Sequence, residues 1–329
     1  MQSVPDLRTI TKAARLYYEE RLTQTEIAAR LGISQVAVSR LLKRAEEYGI
    51  VRTTVISPPG AFTELEGLLE QRFELNQVVI AEAARDTEEA VLNAIGSAAA
   101  QLLETTLKSG DVIGISSWSA SLLSMVDQMH PVRNIQKCTV VQMLGGIGNP
   151  SAEQHANHLA TRLARLVHGE ARFLPAPGVV GSAGAGRILT QDPFVRETFE
   201  LFDKVTVALV GIGSVEPSAL VASSGNIFSE EELNMIKDSG AVGDICLRFY
   251  DANGREIKGP LGNRVIGIDL ERLRRIRMAV GIAGGKRKFA AILGGLRGKW
   301  INTLVTDQYT ADRLARHSAK EQGSSNVVR

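Results

Sequence analysis

The sequence predicts an α/β protein with two parts: a small N-terminal helix-turn-helix domain, similar to winged helices, and a large domain built on a mainly parallel open sheet. Three observations support this prediction. Residues 1–50 contain three consecutive helical patterns, the stretch Ser-Pro-Pro-Gly follows at 57–60, and Val- and Ile-rich runs then alternate with helical patterns as far as residue 307. A length of 329 residues fits about two domains.

Composition excludes several classes of protein. The chain is 44% hydrophobic and 22% charged, as in ordinary globular proteins, and has no apolar run near the ~20 residues of a membrane helix. The N-terminus lacks the apolar core of a signal peptide, so we expect a cytoplasmic protein. Cys138 and Cys246 lie far apart without metal-ligand spacing. We therefore expect reduced packing residues, with no zinc site, disulfide or other cofactor.

Positive charge is concentrated at the N-terminus. Residues 1–60 contain nine Lys and Arg against six Asp and Glu, whereas the rest of the chain has 29 against 30. A small basic excess of this kind favours a polyanion as the partner of the N-terminal part.

Three helices are predicted at the N-terminus. The first spans about 9–21, with one apolar face. The second begins at the N-cap Thr23, whose partner Glu26 completes a capping box. Gly32 ends this helix, because the tight turn that follows needs a left-handed backbone. Ser34 caps the third helix, which ends near residue 48.

The residue types of the second and third helices are typical of a helix-turn-helix. The small Ala28 leaves room for a steep crossing, and the apolar core positions are Ile27, Ile33, Val38 and Leu41. The outward face of the third helix then carries Ser34, Gln35, Val36, Ser39, Arg40 and Lys43. Such a face can read base edges and hold phosphates in the major groove. The alternative is a helical hairpin with a solvated basic face, but the joint pattern favours DNA binding.

A wing strand and a linker are predicted next. "IVRTTVIS" alternates like a strand, and the prolines of "SPPG" end the DNA-binding domain at about 1–57. Residues 58–75 form a linker with a possible oligomerisation helix, whose apolar stripe is Leu65, Leu68, Leu69 and Phe73. This stripe either packs on the large domain or pairs two chains. We expect a homo-oligomer, a dimer or tetramer, because helix-turn-helix units usually bind DNA in pairs.

The large domain is predicted to span 76–318. The candidate strands are "QVVIA", "DVIGIS", "CTVVQML", "ARFLPA", "KVTVALVGIG", "ICLRFYD", "RVIGI", "RMAVGIAG" and "NTLVTD". Helical patterns between them include 87–107, 152–167, 229–238 and 285–296. This alternation predicts a parallel sheet covered on both faces. A hairpin turn at "YDANGREI" predicts that part of the sheet is antiparallel. The tail, 319–329, is expected to be unstructured.

Loops after the predicted strands suggest a ligand site, since open sheets bind ligands beyond the carboxyl ends of their strands. "ISSWSAS" offers Ser116, Ser117, Ser119 and Ser121 at a helix start, which suits a phosphate, although such serines often serve only as caps. Glycine turns follow at "GGIG", which contains Gly145 and Gly146, and at "GIG". Asp244 lies at a strand start, and Lys286, Arg287 and Lys288 open a helix against its dipole, which suggests an anionic ligand. "VGIGSV" is no dinucleotide motif, because Glu216 replaces the third glycine.

Taken together, these motifs resemble the SorC family of bacterial transcriptional regulators, which is grouped with DeoR-like sugar regulators. The resemblance covers nearly the whole chain and rests on "LYYEERLTQTEIAARLGISQVAVSRLLKRAEEYGIV", "DVIGISSWSASLL", "VVQMLGGIGNP", "FLPAPGVV", "GAVGDICLRFYDANG" and "GIAGGKRKFAAILGGLRGKWINTLVTDQYTA". The last motif, with Lys288 and Asp307, is the most specific of them.

The resemblance implies an effector domain similar to sugar-phosphate isomerases and deaminases, which binds a phosphorylated sugar or polyol. It implies a phosphate loop at Ser116–Ser121, a lining from Gly145 and Gly146, hydroxyl binding by Asp244, and contact of Lys288 with the phosphate or carbonyl end. Many relatives carry a "GWGRT"-like loop where this chain has "SSWSAS". An unphosphorylated sugar or polyol therefore stays an alternative.

The leading hypothesis for function is a DNA-binding regulator of carbohydrate or polyol metabolism, controlled by this effector. One alternative is an isomerase- or deaminase-like enzyme with a DNA-binding appendage, in which Asp244 and Lys288 form the acid/base pair. Another is a constitutive DNA-binding scaffold whose large domain only oligomerises. We expect no enzymatic activity, because no triad-like or metal motif is present.

Overall fold

The structure is a computed structural model that describes residues 7–51, 62–146, 150–216 and 228–325. The chain divides into two compact units, Met1–Pro59 and Gly60–Arg329. Within the described ranges, no helix is long and apolar enough to cross a membrane.

The first unit contains the three predicted helices: α1 (Leu7–Tyr18), α2 (Gln24–Leu31) and α3 (Gln35–Glu47). Ile27 and Val38 are fully buried between α2 and α3, and Ala28 is buried beside them as its small size predicts. The predicted wing strand and the "SPPG" boundary fall largely in 52–61 and lie outside the described residues.

The large unit is built on a seven-stranded sheet in which every pairing is parallel. Its strand order is β1-β10-β9-β5-β2-β3-β4. The strands are β1 (Gln77–Ala81), β2 (Val112–Ile115), β3 (Thr139–Gln142), β4 (Glu170–Arg172), β5 (Val207–Gly211), β9 (Met278–Ile282) and β10 (Thr303–Asp307). The prediction of a mainly parallel open sheet is confirmed.

Helices cover both faces of this sheet, as the continuously apolar strands predict. The described helices of the large unit are α4 (Thr63–Phe73), α5 (Glu88–Thr106), α6 (Ala120–Gln128), α7 (Pro150–Leu166), α8 (Ala183–Gln191), α9 (Pro193–Phe202), α10 (Glu230–Asp238), α11 (Leu270–Arg274), α12 (Phe289–Arg297) and α13 (Gln308–Ser325). Side chains from α5, α6 and α7 form one apolar core, and side chains from α4, α9, α11, α12 and α13 form the other. Two short 3₁₀ turns lie at Gly262–Arg264 and Lys286–Lys288.

The antiparallel part is a separate three-stranded sheet, β6 (Gly213–Ser214), β7 (Ala241–Ile245) and β8 (Arg248–Asp251). The prediction that "ICLRFYD" forms one strand is therefore wrong. Ile245 pairs with Arg248 across a two-residue turn, in which Cys246 and Leu247 have φ of 51° and 59°. Left-handed backbone at Cys and Leu is unusual, so the sequence gives no sign of this turn.

"RVIGI" at 264–268 is also not a strand. It makes only single bridges, Val265 to Val179 and Gly267 to Leu144. The guanidinium of Arg248 instead donates hydrogen bonds to the carbonyl groups of Val265, Gly267 and Ile268. It also donates to the carbonyl of Gly262, just before the segment. The segment is buried like a strand, and a side chain satisfies polar groups that a neighbouring strand would otherwise satisfy.

Helix α4 packs on the large unit. Leu69 is fully buried, and Leu65 and Phe73 pack against the same core, whereas Leu68 is 40% exposed. The carboxylates of Glu66 and Glu70 accept hydrogen bonds from the backbone N–H groups of Ile80 and Val78 in the edge strand β1. Of the two interpretations of the apolar stripe, this packing favours the intramolecular one.

The C-terminal helix is longer than predicted. Helix α13 continues to Ser325, so the expectation of an unstructured tail is wrong for 319–325. The remaining tail residues, 326–329, lie outside the described part of the chain. The polar composition of the tail gave no apolar period from which a helix could be predicted, and α13 reaches it by continuing from the buried Ala311 and Leu314.

Candidate functional site

The helix-turn-helix presents the predicted recognition face to solvent. The Thr23 hydroxyl accepts the N–H of Glu26, and the Glu26 carboxylate accepts the N–H of Thr23 at 2.8 Å, which completes the capping box. The Ser34 hydroxyl caps α3 by accepting the N–H of Ala37 at 3.2 Å. All six predicted DNA-binding residues are exposed: Ser34, Gln35, Val36, Ser39, Arg40 and Lys43. Val36 is 62% exposed, so its apolar side chain is little used for packing among the described residues of this unit.

The large unit contains a cavity at the carboxyl ends of β2, β5 and β9. It holds about 1100 Å³ of empty space, including its opening to solvent. Four of the predicted segments contribute to its lining: "ISSWSAS" before α6, "GIG" after β5, "GAVGD" with Asp244, and "AGGKRK" before α12. Five of the predicted effector-binding residues line it: Ser116, Ser119, Ser121, Asp244 and Lys288.

The serine loop gives the cavity a helix N-terminus. Ser119 is the N-cap of α6, and its hydroxyl accepts the N–H of Leu122 at 3.3 Å. Among the described residues, none accepts a hydrogen bond from the backbone N–H of Ala120 or Ser121, which precede the first intrahelical bonds. These donors and the dipole of α6 favour an anion at this end of the cavity.

Asp244 lies on β7 and also lines the cavity. Its carboxylate accepts the backbone N–H of Leu247 at 3.0 Å, within the strained β7–β8 turn. Burial raises the pKa of Asp244 to about 6, against the hydrogen bond from Leu247 and the charge of Lys288, which both lower it. Gly213 lies close to this carboxylate, because a Cβ at that position would clash with the Asp244 Oδ1.

Lys288 lies at the end of the turn that precedes α12. Burial lowers the pKa of its ammonium group, and the neighbouring charge of Arg287 lowers it further. Asp244 acts electrostatically on Lys288, but the two side chains form no direct ion pair. A cation and a carboxylate therefore face the same cavity without neutralising each other by contact.

The turn that carries Lys288 is fixed by Asp307, which is completely buried at the end of β10. The Asp307 Oδ2 accepts hydrogen bonds from the Gly285 N–H at 2.9 Å and the Thr310 hydroxyl at 2.6 Å. Its Oδ1 accepts the Thr310 N–H at 3.0 Å. Asp307 therefore positions the turn and does not itself line the cavity.

Three of the predicted effector-binding residues, Ser117, Gly145 and Gly146, do not line this cavity. The Ser117 hydroxyl turns away and donates to the Leu144 carbonyl at 2.9 Å. Gly145 is packed against the backbone carbonyls of Ala176 and Pro177, and Gly146 is buried beside it. These residues support the wall of the cavity through their neighbour Leu144. The other two residues of "GGIG", 147 and 148, lie outside the described residues.

Sequence reasoning missed an apolar wall and two polar residues of the cavity. The wall contains Trp118, Phe228 and Phe249, and the missed polar residues are Glu88 and Ser214, which contact Arg287. Trp118 and Phe249 lie inside quoted motifs, but the three aromatic residues are far apart in the sequence and share no spacing that would place them on one wall. Cys246 also lines the cavity, and burial raises the pKa of its thiol to about 12, as expected for an unreactive packing residue.

Comparisons with known proteins agree with this arrangement. The sequence family described as "Putative sugar-binding domain" matches residues 57–316, and the MarR family matches residues 14–60. The "Sorbitol operon regulator" of Klebsiella pneumoniae is 34% identical over 96% of this chain and 100% of its own length. The "Deoxyribonucleoside regulator" of Bacillus subtilis (strain 168) is 33% identical over 92% of this chain and 96% of its own.

Solved structures of transcriptional regulators also match this chain. The full-length sorbitol operon regulator of Klebsiella pneumoniae matches with a TM-score of 0.70, at 34% identity, over 95% of this chain and 100% of that one. The putative sugar-binding domain of the regulator DeoR from Pseudomonas syringae pv. tomato matches with a TM-score of 0.61, at 38% identity, over 78% of this chain and 99% of that one. These relatives are transcriptional regulators, so the enzymatic alternative is not favoured. The chain belongs to the SorC family of transcriptional regulators, with a helix-turn-helix unit and a sugar-binding domain.

Proposed function

We propose that the cavity binds a phosphorylated sugar or polyol, and that its occupancy sets the affinity of the helix-turn-helix for an operator of carbohydrate or polyol metabolism. The convergence of Ser116, Ser119, Ser121, Asp244 and Lys288 on one cavity is the observation that carries this proposal. The names of the sorbitol and deoxyribonucleoside regulators support the class of effector.

The phosphate binds at the N-terminus of α6 in this proposal. The N–H groups of Ala120 and Ser121 and the serine hydroxyls supply donors, and Lys288 supplies a positive charge from the other side. Hydrogen bonds to an ionised phosphate are about twice as strong as neutral ones. The loop therefore compensates for the Arg and Thr that it lacks relative to the "GWGRT"-like pattern.

The carbon chain of the effector lies between Asp244 and the apolar wall. An ionised Asp244 accepts hydrogen bonds from hydroxyl groups, while Trp118, Phe228 and Phe249 cover the C–H faces of the sugar. This division into an anionic end, a hydroxyl-binding carboxylate and an apolar wall fits a sugar phosphate better than it fits a purely apolar ligand.

DNA binding uses the exposed face of α3. We assign base contacts to Gln35 and Arg40, and phosphate contacts to Ser34, Ser39 and Lys43, with Val36 against thymine methyl groups. We also propose that the protein acts as a homo-oligomer, since paired recognition helices bind two half-sites one DNA turn apart.

The effector acts through its difference in affinity for two arrangements of the oligomer. A coupling of this kind is commonly worth ~1–3 kcal/mol, which changes operator affinity about 5- to 150-fold. The sign of regulation follows from which arrangement binds DNA more tightly, and from the position of the operator relative to the promoter.

The test is thermal unfolding of the purified protein with matched pairs of compounds: sorbitol and sorbitol 6-phosphate, fructose and fructose 6-phosphate, deoxyribose and deoxyribose 5-phosphate. A compound at a hundred times its Kd stabilises the protein by about 2.7 kcal/mol. We expect a response to at least one phosphorylated member, and a change of operator affinity with the same compound. If a compound binds but operator affinity does not change, the proposed control of DNA binding is contradicted. If only free polyols stabilise the protein, the proposal that the effector is phosphorylated is contradicted.

A further inference from the structure

One guanidinium group links two other residues of the cavity lining. Arg287 donates from Nη1 to the Ser214 hydroxyl and from Nη2 to the Glu88 carboxylate, both at 3.1 Å. The three residues come from β6, the start of α5 and the turn before α12, and all of them line the cavity. The contact therefore joins three separate parts of the chain.

The ion pair of Arg287 with Glu88 is easily broken. The Glu88 side chain is 79% exposed and that of Arg287 is 42% exposed, so water and salt screen the attraction. A simple structural explanation is available, because Glu88 also lies in the first turn of α5, where a carboxylate favours the helix dipole. That explanation accounts for Glu88 but not for the direction of Arg287.

The neighbouring Lys288 indicates a further role for Arg287 in ligand binding. Two consecutive cations line one cavity, and no described side chain forms an ion pair with Lys288. The other acidic residues of the lining are already occupied: Glu216 pairs with Lys237, and Asp244 accepts the Leu247 N–H. Among the described lining residues, Glu88 is therefore the only carboxylate in direct contact with either cation, and the cation it contacts is Arg287.

We infer that Glu88 occupies the place of the effector's anionic group in the empty cavity, and that Arg287 exchanges Glu88 for that group when the effector binds. Arg287 is thereby a residue that selects phosphorylated over unphosphorylated ligands. The inference rests on the function proposed above. The Ser214 hydroxyl keeps one nitrogen in place during the exchange, so only the second nitrogen changes its partner.

The exchange favours a phosphate for electrostatic reasons. A phosphate carries up to two negative charges and three acceptor oxygens, and so it can engage Arg287 and Lys288 together, whereas Glu88 reaches only Arg287. A neutral polyol offers no charge to replace the carboxylate. The ion pair with Glu88 then persists when such a ligand binds.

The experiment measures Kd by calorimetry for inorganic phosphate and for each phosphorylated and free compound of the matched pairs, with the full-length protein. The variants are Glu88→Gln, Arg287→Gln and the double variant. Glu200→Gln is the matched control, because Glu200 forms an exposed ion pair with Arg196 on α9 and does not line the cavity. Unfolding curves without ligand show whether each variant is folded.

We expect Glu88→Gln to tighten binding of the phosphorylated ligand about 3-fold and Arg287→Gln to weaken it about 10-fold. The double variant should bind like Arg287→Gln, because Glu88 acts only through Arg287. Free sugars should change by less than about twofold in every variant.

Each other outcome overturns the inference. If phosphorylated ligands bind but Glu88→Gln has no effect or weakens binding, the exchange is wrong and the proposed function stands. If only free sugars bind, the cavity senses effectors without an anionic group and Arg287 has no selective role. If no compound binds, inorganic phosphate included, both the inference and the proposed function fail.

Discussion

The Asp307 Oδ2 accepts the backbone N–H of Gly285 at 2.9 Å, which ties the end of β10 to the turn that presents Arg287 and Lys288 to the cavity. The carboxylate has no contact with the cavity itself. Its effect on a ligand is therefore indirect and depends on the shape of the turn.

Asp307→Asn should reduce both stability and effector affinity. The amide of Asn keeps one acceptor oxygen but places an NH₂ group against a hydrogen-bond donor. We therefore expect the free energy of unfolding to fall by about 2–3 kcal/mol. We expect the Kd for the effector to rise about 10-fold. Urea denaturation and calorimetry measure the two effects. Asp312→Asn, in an exposed pair with Arg316, is the control and should change stability by less than about 0.5 kcal/mol. An unaltered Kd in Asp307→Asn would mean that the turn does not position a ligand.

A pair of substitutions at Ser119 separates its two roles. Asp and Asn both cap helices as well as Ser does, so α6 should stay folded in Ser119→Asp and in Ser119→Asn. Only Asp adds a negative charge at the proposed phosphate site. We expect Ser119→Asp to weaken binding of a sugar phosphate more than 30-fold relative to Ser119→Asn, while free sugars bind the two variants alike. Equal binding of the sugar phosphate by both variants would show that its anionic group does not bind at this end of the cavity.

Asp244 should make effector binding dependent on pH. Its pKa of about 6 means that the carboxylate loses its charge, and part of its capacity to accept hydroxyl groups, as the pH falls from 7 to 5. Affinity should fall by up to about tenfold over this interval. Asp244→Asn should bind weakly throughout and show no such dependence. The comparison must use an unphosphorylated ligand or correct for the phosphate, whose second pKa is also near 6.

The same residue should make the empty protein more stable at low pH. The pKa of Asp244 is raised above its ordinary value of 3.8, so the folded state holds a proton that the unfolded state releases between pH 4 and pH 6. The free energy of unfolding should fall as the pH rises through this window, by about 1–2 kcal/mol after allowance for solvent screening, relative to Asp244→Asn. Denaturation at pH 4.5 and 7.5 provides the check; a difference of opposite sign would rule out the raised pKa.

Two residues of α3 should affect DNA binding in different ways. Gln35→Ala should lose about 1–3 kcal/mol for the operator and little for unrelated DNA, because a base contact carries sequence information. Lys43→Ala should weaken binding to all sequences and reduce the slope of log K against log salt by about one. Fluorescence anisotropy at several salt concentrations measures both. Lys204→Ala, an exposed cation of the large unit, controls for the loss of charge alone; the same slope for Lys43→Ala and this control would contradict the phosphate contact.

The helix-turn-helix could be predicted almost completely because its determinants are local. The cap at Thr23, the left-handed Gly32 and the cap at Ser34 each act within three or four residues, and the apolar period assigns the buried face. The inner strands of the parallel sheet were equally visible, because strands buried on both faces are continuously apolar, whereas the edge strand β4 is short and largely exposed. Strand ends then indicated the serine loop and Lys288 as site residues.

Tertiary structure alone decided which residues share the cavity. Ser116 and Ser117 are neighbours with the same chemistry, yet one lines the cavity and the other donates to Leu144. The left-handed turn at Cys246 and the carbonyl contacts of Arg248 replaced two predicted strand segments. Glu88 and Arg287 are 199 residues apart in sequence, and strand order brings them to 3.1 Å. Local sequence fixes helices, caps and buried faces through short-range forces, whereas a cavity depends on which distant strand ends become neighbours, and that is settled only when the whole sheet is packed.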